Sequence, residues 1–150
     1  MSKDNSGSVP PQVPIEERAK LQELTYLYAM YVDTKQTDKV VELFTDDAIM
    51  NEDGIGYPSA QGRENLRSIF ADGATQVGSM IHYVTNHIIT EYAETSAAGQ
   101  CFVFAEARTL KGDPVRVFGY YDDKYVKIDG QWRFKSRHVK AVIPPELALK

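Results

Sequence analysis

The chain has 150 residues, 43% of them hydrophobic and 11% aromatic, a size that suits one globular domain with a core able to shelter a small molecule and argues against a second domain. Its 17 Lys and Arg against 21 Asp and Glu give a formal charge of −4, which offers no attraction to a phosphate backbone or an anionic membrane, so neither nucleic acid nor membrane is an expected partner. The single cysteine, Cys101, rules out an internal disulfide framework and a thiolate metal cluster, which suits a reducing, cytoplasmic setting.

Residues 1–13 are rich in Ser, Pro and polar groups and predict a disordered tail without the apolar core of a signal peptide. After Pro14, a residue suited to a first helical turn, the spacing of Leu24, Leu27, Tyr28 and Tyr31 predicts a long amphipathic helix ending near Asp33. Thr37 or Asp38 can cap a short second helix over DKVVELFT. DAIMNE reads as a short strand, and GRENLRSIFADG as a third helix closed by Gly73. The period then changes. MIHYVTNHIITEY, GQCFVFAEARTL, PVRVFGYYDDKYVKI and QWRFKSRHVKAVI are β-branched and aromatic, with breaks at AETSAAG, KGD and IDG, and predict four long antiparallel strands. Pro144 and Pro145 set off residues 144–150 as a C-terminal tail and leave 14–143 as the folded domain. Helices grouped ahead of strands argue for an α+β fold: three N-terminal helices packed on a strongly curved, mainly antiparallel sheet, a cone-shaped α+β barrel around a cavity.

Two residues carry most of the chemical interest. Asp33 closes the first helix and His82 lies inside the first long strand. Brought together they form a carboxylate-oriented general base, because an imidazole with an unperturbed pKa of about 6.5 accepts a proton near neutral pH and the carboxylate fixes its tautomer. The alternative is a helix-terminating aspartate and a hydrogen-bonded core histidine. Strand parity places Met80, His82, Val84, Asn86 and Ile88 on one face, so Val84 and Asn86 join His82 as candidate substrate contacts. His87 falls on the other face and cannot join them without a bulge. Tyr28 and Tyr31 can donate hydrogen bonds to a substrate oxygen or pack against the sheet. Three histidines without HxH or HExxH spacing predict no metal site, and the Gly54–Gly56 loop lacks a nucleotide-binding pattern, so no cofactor is expected. Asp122 and Asp123 are adjacent in a strand, face opposite ways and do not form a working carboxylate pair.

Several local signatures run through the chain: YVDT at 31–34, LFTDDA at 43–48, GRE at 62–64, HYVTN at 82–86, GYYDD at 119–123 and DGQWR at 129–133. With the order of elements they resemble the SnoaL-like branch of the nuclear transport factor 2-like superfamily over roughly residues 15–143. Within that branch the chain is similar to scytalone dehydratase and hexachlorocyclohexane dehydrochlorinase, and the resemblance implies an Asp–His pair in the cone carried here by Asp33 and His82. The chain departs from the scytalone dehydratase pattern at Val32, where those enzymes carry Tyr, and around Cys101, where they carry a second strand His. The resemblance also implies that Arg137, on the final strand after Trp132 and Arg133, steadies a developing negative charge.

Three functional readings follow. The first is a cofactor-independent lyase or isomerase acting on a small hydrophobic molecule. The second is a non-catalytic small-molecule binding module, and the third a structural subunit similar to the small subunits of ring-hydroxylating dioxygenases. Because one layer of helices covers one face of the sheet, the convex face, with Phe102, Phe104 and Tyr121 or their alternates, is expected to pair copies into a symmetric homodimer or homotrimer.

Overall fold

The computed structural model describes residues 9–146, so the expected tails fall partly outside it, at 1–8 and 147–150. Helix α1 runs from Ile15 to Asp33 and buries Leu21, Leu24, Thr25, Tyr28 and Ala29, a stripe at three- and four-residue spacing. Carboxylates fasten both of its ends. Near the start, Glu17 accepts hydrogen bonds from Trp132 Nε1 at 2.7 Å and Lys127 Nζ at 2.9 Å. The Lys127 bond, helped by Lys20 and Trp132, holds the Glu17 carboxyl down to about 2. At the far end Asp33 binds His82.

The remaining elements are α2 (Thr37–Glu42), β1 (Phe44–Asn51), a 3-10 turn at Asp53–Ile55, β2 (Ala60–Gln61), α3 (Arg63–Gln76), β3 (Val77–Tyr92), β4 (Ser96–Thr109), β5 (Pro114–Ile128) and β6 (Gln131–Glu146). The strands form one curved, unclosed sheet in the order β2-β1-β6-β5-β4-β3, with β1 and β6 parallel and the other pairs antiparallel. This is the α+β arrangement expected, three helices on a curved sheet. Among the described residues no helix is long and apolar enough to cross a membrane.

Several element ends differ from the sequence expectation. Helix α3 continues past Gly73 to Gln76, because Gly73 does not take the left-handed conformation that ends a helix. Strand β6 passes Pro144 and Pro145 to reach Glu146, where a break was expected. A register shift between Arg116 and Phe118 of β5 takes up the extra residue, and a proline with no N–H to donate is tolerated at such an irregularity. The IDG break is a two-residue hairpin turn, with Asp129 and Gly130 at φ +50° and +77°.

The largest correction concerns strand parity. Asn86 sits at φ +55° where the β3–β4 register shifts, between Thr85 and Ile88, so β3 carries a bulge there. One extra residue flips the side chains beyond it until a second shift, between Ile89 and Glu91. His87 and Ile89 therefore turn inward with His82 and Val84, while Asn86 and Ile88 are exposed. Opposite the bulge, Gly99 leaves room for the approaching chain, since a Cβ there would meet the Ile88 carbonyl oxygen at 2.6 Å.

The helices leave the convex face bare, with Ile81, Tyr83, Ile88 and Phe102 between 45% and 54% exposed. Tyr83 stacks on Phe104 there, and Phe104 meets Phe118 at a tilt of 50°, with centroids 6.0 and 4.7 Å apart across three strands. Tyr121 does not share this face; it is buried on the inner side, and its alternate Tyr120 is half-buried outside. The expected outcome in solution is a symmetric homo-oligomer that covers the patch. Light scattering at micromolar concentration should return about two or three times the chain mass of 16.9 kDa, and the single-chain mass would contradict this.

Candidate functional site

A cavity of about 290 Å³ lies between α1, α3, the 3-10 turn and the inner face of β3, β4 and β5, near the small end of the roughly 300 to 1,000 Å³ typical of ligand sites. Val40, Phe70, Val103 and Val117 give it apolar walls, and His82, Glu52, Tyr57 and Tyr121 interrupt them with polar atoms.

His82 is positioned by one carboxylate acting twice. β3 is the last strand of the sheet, so one edge has no neighbour to pair its backbone groups. Asp33 Oδ2 accepts the His82 backbone N–H at 2.8 Å, and Asp33 Oδ1 lies 2.5 Å from His82 Nδ1. A carboxylate only accepts, so Nδ1 carries the proton and Nε2 keeps its lone pair. Both side chains are 15% exposed, and His82 lines the cavity. Beside them Lys35 Nζ donates to the Val77 carbonyl oxygen at 2.7 Å, which ties down more of the same edge.

The other expected contacts divide. Tyr28 and Tyr31 both line the cavity. Tyr28 is buried edge-on against Phe44, Phe70, Tyr121 and Phe134, and burial raises its hydroxyl well above the usual tyrosine value, so it remains a donor. Val84 packs against the core and is not on the cavity wall. Asn86 is exposed at the bulge, away from His82, because the extra residue turns it outward.

Arg137 is also off the cavity wall, fully buried and bound to a carboxylate. Its Nε and Nη2 donate to Asp123 Oδ1 and Oδ2, both at 2.8 Å. The guanidinium lies 3.7 Å from the Tyr121 ring, 4.2 Å from Phe134 and 4.4 Å from Tyr28, so the ring faces provide the negative potential that its unpaired Nη1 lacks. Tyr125 OH donates to Asp123 Oδ2 at 3.0 Å, and His87 Nε2 meets that hydroxyl at 3.1 Å. The network fills the core beneath the cavity. A buried bidentate pair of this kind fixes an arrangement, and losing one partner leaves an uncompensated charge.

Glu52 was not singled out by the sequence reading, although a signal was there. Ala48, Met50 and Glu52 alternate along and just beyond β1, and the first two are fully buried, so parity directs the third inward. It lines the cavity, and burial pushes its carboxyl up to about 7. Tyr57 lies in a loop with no parity signal, and alternation along β5 leaves open whether Tyr121 or Tyr120 faces inward; the structure places Tyr57 and Tyr121 on the cavity wall.

A family model described as SnoaL-like domain matches residues 13–138. Among solved structures, one from Novosphingobium aromaticivorans named as a candidate aromatic ring hydroxylase is 29% identical with TM-score 0.87, covering 90% of this chain and 95% of the other. Another from the same organism, named as a candidate scytalone dehydratase, is 25% identical with TM-score 0.79, covering 86% of each chain. A hexachlorocyclohexane dehydrochlorinase from Novosphingobium barchaimii shares the fold at 21% identity and TM-score 0.75, covering 90% of this chain and 93% of that one. No curated protein matches the chain in sequence.

The buried titratable groups predict opposite slopes of stability with pH. Burial holds His87 down to about 4 from 6.5, so the unfolded chain takes up a proton that the fold refuses, and stability falls as pH drops through that window. Glu52 is raised from 4.5 to about 7, so the unfolded carboxyl ionises first and stability falls as pH rises through that window. Glu52→Gln should therefore stabilise the protein at pH 8, by at most on the order of 3 kcal/mol, and leave it unchanged at pH 4. Urea denaturation at the two pH values checks this, and an equal effect at both would contradict it.

Proposed function

We propose, for a chain that belongs to the SnoaL-like domain family, a cofactor-independent lyase of dehydratase type, or an isomerase, in which His82 removes a proton from carbon in a small hydrophobic molecule. The observation that carries this reading is the double contact of Asp33 with His82, 2.5 Å to Nδ1 and 2.8 Å to the backbone N–H, at the wall of a mostly apolar cavity. The names of two structural neighbours, a dehydratase and a dehydrochlorinase, denote eliminations and agree with it.

The geometry supports the following sequence. Nε2, the ring nitrogen that Asp33 leaves free, takes the proton, and Asp33 stabilises the imidazolium that forms. The electron pair left on carbon moves into an adjacent carbonyl, and the tyrosines on the cavity wall are the donors available to its oxygen. In an isomerisation the proton returns to a different carbon; in an elimination a group on the neighbouring carbon leaves. An imidazole is too weak a base for an unactivated C–H, so the substrate carries an electron-withdrawing group beside the reacting carbon. Arg137 takes no part in charge stabilisation, being held by Asp123 behind the rings of Tyr28 and Tyr121.

A second reading is an assembly subunit similar to the small subunits of ring-hydroxylating dioxygenases; one structural neighbour is named for aromatic ring hydroxylation. A large oxygenase subunit co-purifying with the chain would support it; a chain purifying as a homo-oligomer alone would count against it.

The test of the first reading is proton abstraction itself. Incorporation of solvent deuterium beside the carbonyl of cyclohexanone, followed by NMR, should be accelerated by the wild type. His82→Ala and Asp33→Asn should each slow it by about 100-fold or more. Asp33→Asn keeps an oxygen for the His82 backbone N–H, so its melting temperature should change little. The double variant should be hardly slower than His82→Ala, because the carboxylate has nothing left to orient. Undiminished exchange in His82→Ala would refute the proposal.

A further inference from the structure

Glu52 and His82 reach the cavity from far sides of the sheet. Strands β6, β5 and β4 separate β1, which Glu52 follows, from β3, which carries His82. A flat sheet would hold those positions about 19 Å apart at roughly 4.8 Å per strand, and only the curl of this one brings both onto the wall of a single cavity.

The Glu52 backbone is pinned: its N–H donates to Ser59 Oγ at 3.1 Å and its carbonyl accepts the Ile55 N–H at 3.0 Å. Its carboxyl, by contrast, accepts no hydrogen bond and forms no ion pair among the described residues. Among the described residues Lys35 is the one Lys or Arg on the cavity wall, and its Nζ is engaged by the Val77 carbonyl oxygen. Tyr28, Tyr57 and Tyr121 are the polar groups whose fields Glu52 shares. Glu52 is half-buried at the wall of a mostly apolar cavity, and a carboxyl there with no cation and no donor of its own is shifted toward the neutral acid.

We infer that Glu52 is a catalytic acid, delivering its proton across the cavity from His82 to a hydroxyl leaving group. The inference rests on the general-base reading of His82 and narrows it to loss of water from a β-hydroxy carbonyl compound of ring size. In that step His82 Nε2 takes the proton from the carbon beside the carbonyl, and the C–H electron pair becomes the new C=C bond. The neighbouring C–O bond breaks, and its electron pair takes the Glu52 proton as water departs. The products are an enone, water, an imidazolium and a carboxylate, and one proton passing back from His82 to Glu52 through the released water resets the site. Burial raises the Tyr28 and Tyr121 hydroxyls far from neutral pH and the Glu52 carboxyl only to about 7, so Glu52 is the group matched to proton delivery there.

The leaving group provides the test. A hydroxyl is a poor leaving group that departs far faster when it is given a proton, whereas chloride gains little from one. 3-Hydroxycyclohexanone and 3-chlorocyclohexanone give the same product, 2-cyclohexenone, and differ in nothing else. With background elimination subtracted, Glu52→Gln should slow water loss by about 100-fold or more and chloride loss only a few-fold, with a melting temperature no lower than that of the wild type. His82→Ala should slow both reactions. Equal loss on both substrates, or none on either, in Glu52→Gln would overturn the acid assignment while leaving the base standing. Both reactions persisting in His82→Ala would overturn the base instead. Failure of the wild type to turn over the hydroxyketone would overturn the substrate class.

Discussion

One carboxylate holds this site together. Asp33 ends α1 and faces the free edge of β3, where it takes both the backbone N–H and the ring N–H of His82. Either bond alone would leave freedom in the strand or in the ring. Together they fix where the imidazole sits, which nitrogen carries its proton and how the end of α1 meets the sheet. Charge-assisted bonds of this kind are about twice as strong as neutral ones, and an edge strand is where unpaired backbone groups most need a partner. The same contact thus closes the sheet edge and leaves Nε2 as an acceptor.

The molecule uses its buried charges in two ways. Asp123 and Arg137 neutralise one another, and Tyr125, His87 and the surrounding rings complete their surroundings, so the ensemble acts as packing. Glu52 stands half-buried at the cavity wall without such partners, and desolvation raises its carboxyl to about 7. Both arrangements cost desolvation. The first recovers it in fixed geometry, while the second maintains a proton at the cavity wall, where a reaction can use it.

Much of this was legible from the chain. The helix that ends at Asp33, the strand that carries His82 and the succession of helices before strands follow from periodicity, since helical spacing and alternation are local signals. What escaped depends on partners distant in sequence. The bulge at Asn86 exists because of how β3 runs past Gly99, and nothing in HYVTNHII marks the extra residue; it moved Asn86 out and His87 in. A β5–β6 register shift between Lys124 and Tyr125 likewise leaves Phe134 and Arg137, three apart, both buried. Arg137 pairs with Asp123 because those strands are neighbours, so a residue expected at the site became core. Glu52 obeyed the alternation of Ala48 and Met50 and was overlooked because one acid after a short strand resembles an ordinary loop residue.

The central claim, that Asp33 sets His82 as a base toward the cavity, is tested most directly by the tautomer of the His82 ring. Long-range proton–nitrogen correlation NMR on uniformly ¹⁵N-labelled protein at pH 8, with His82 identified by its loss in His82→Ala, reads the two ring nitrogens separately. The account predicts a protonated Nδ1 and an unprotonated Nε2, with the pattern lost in Asp33→Asn. A proton on Nε2 in the wild type would contradict it, because the nitrogen that Asp33 leaves free would then have no lone pair with which to take a proton.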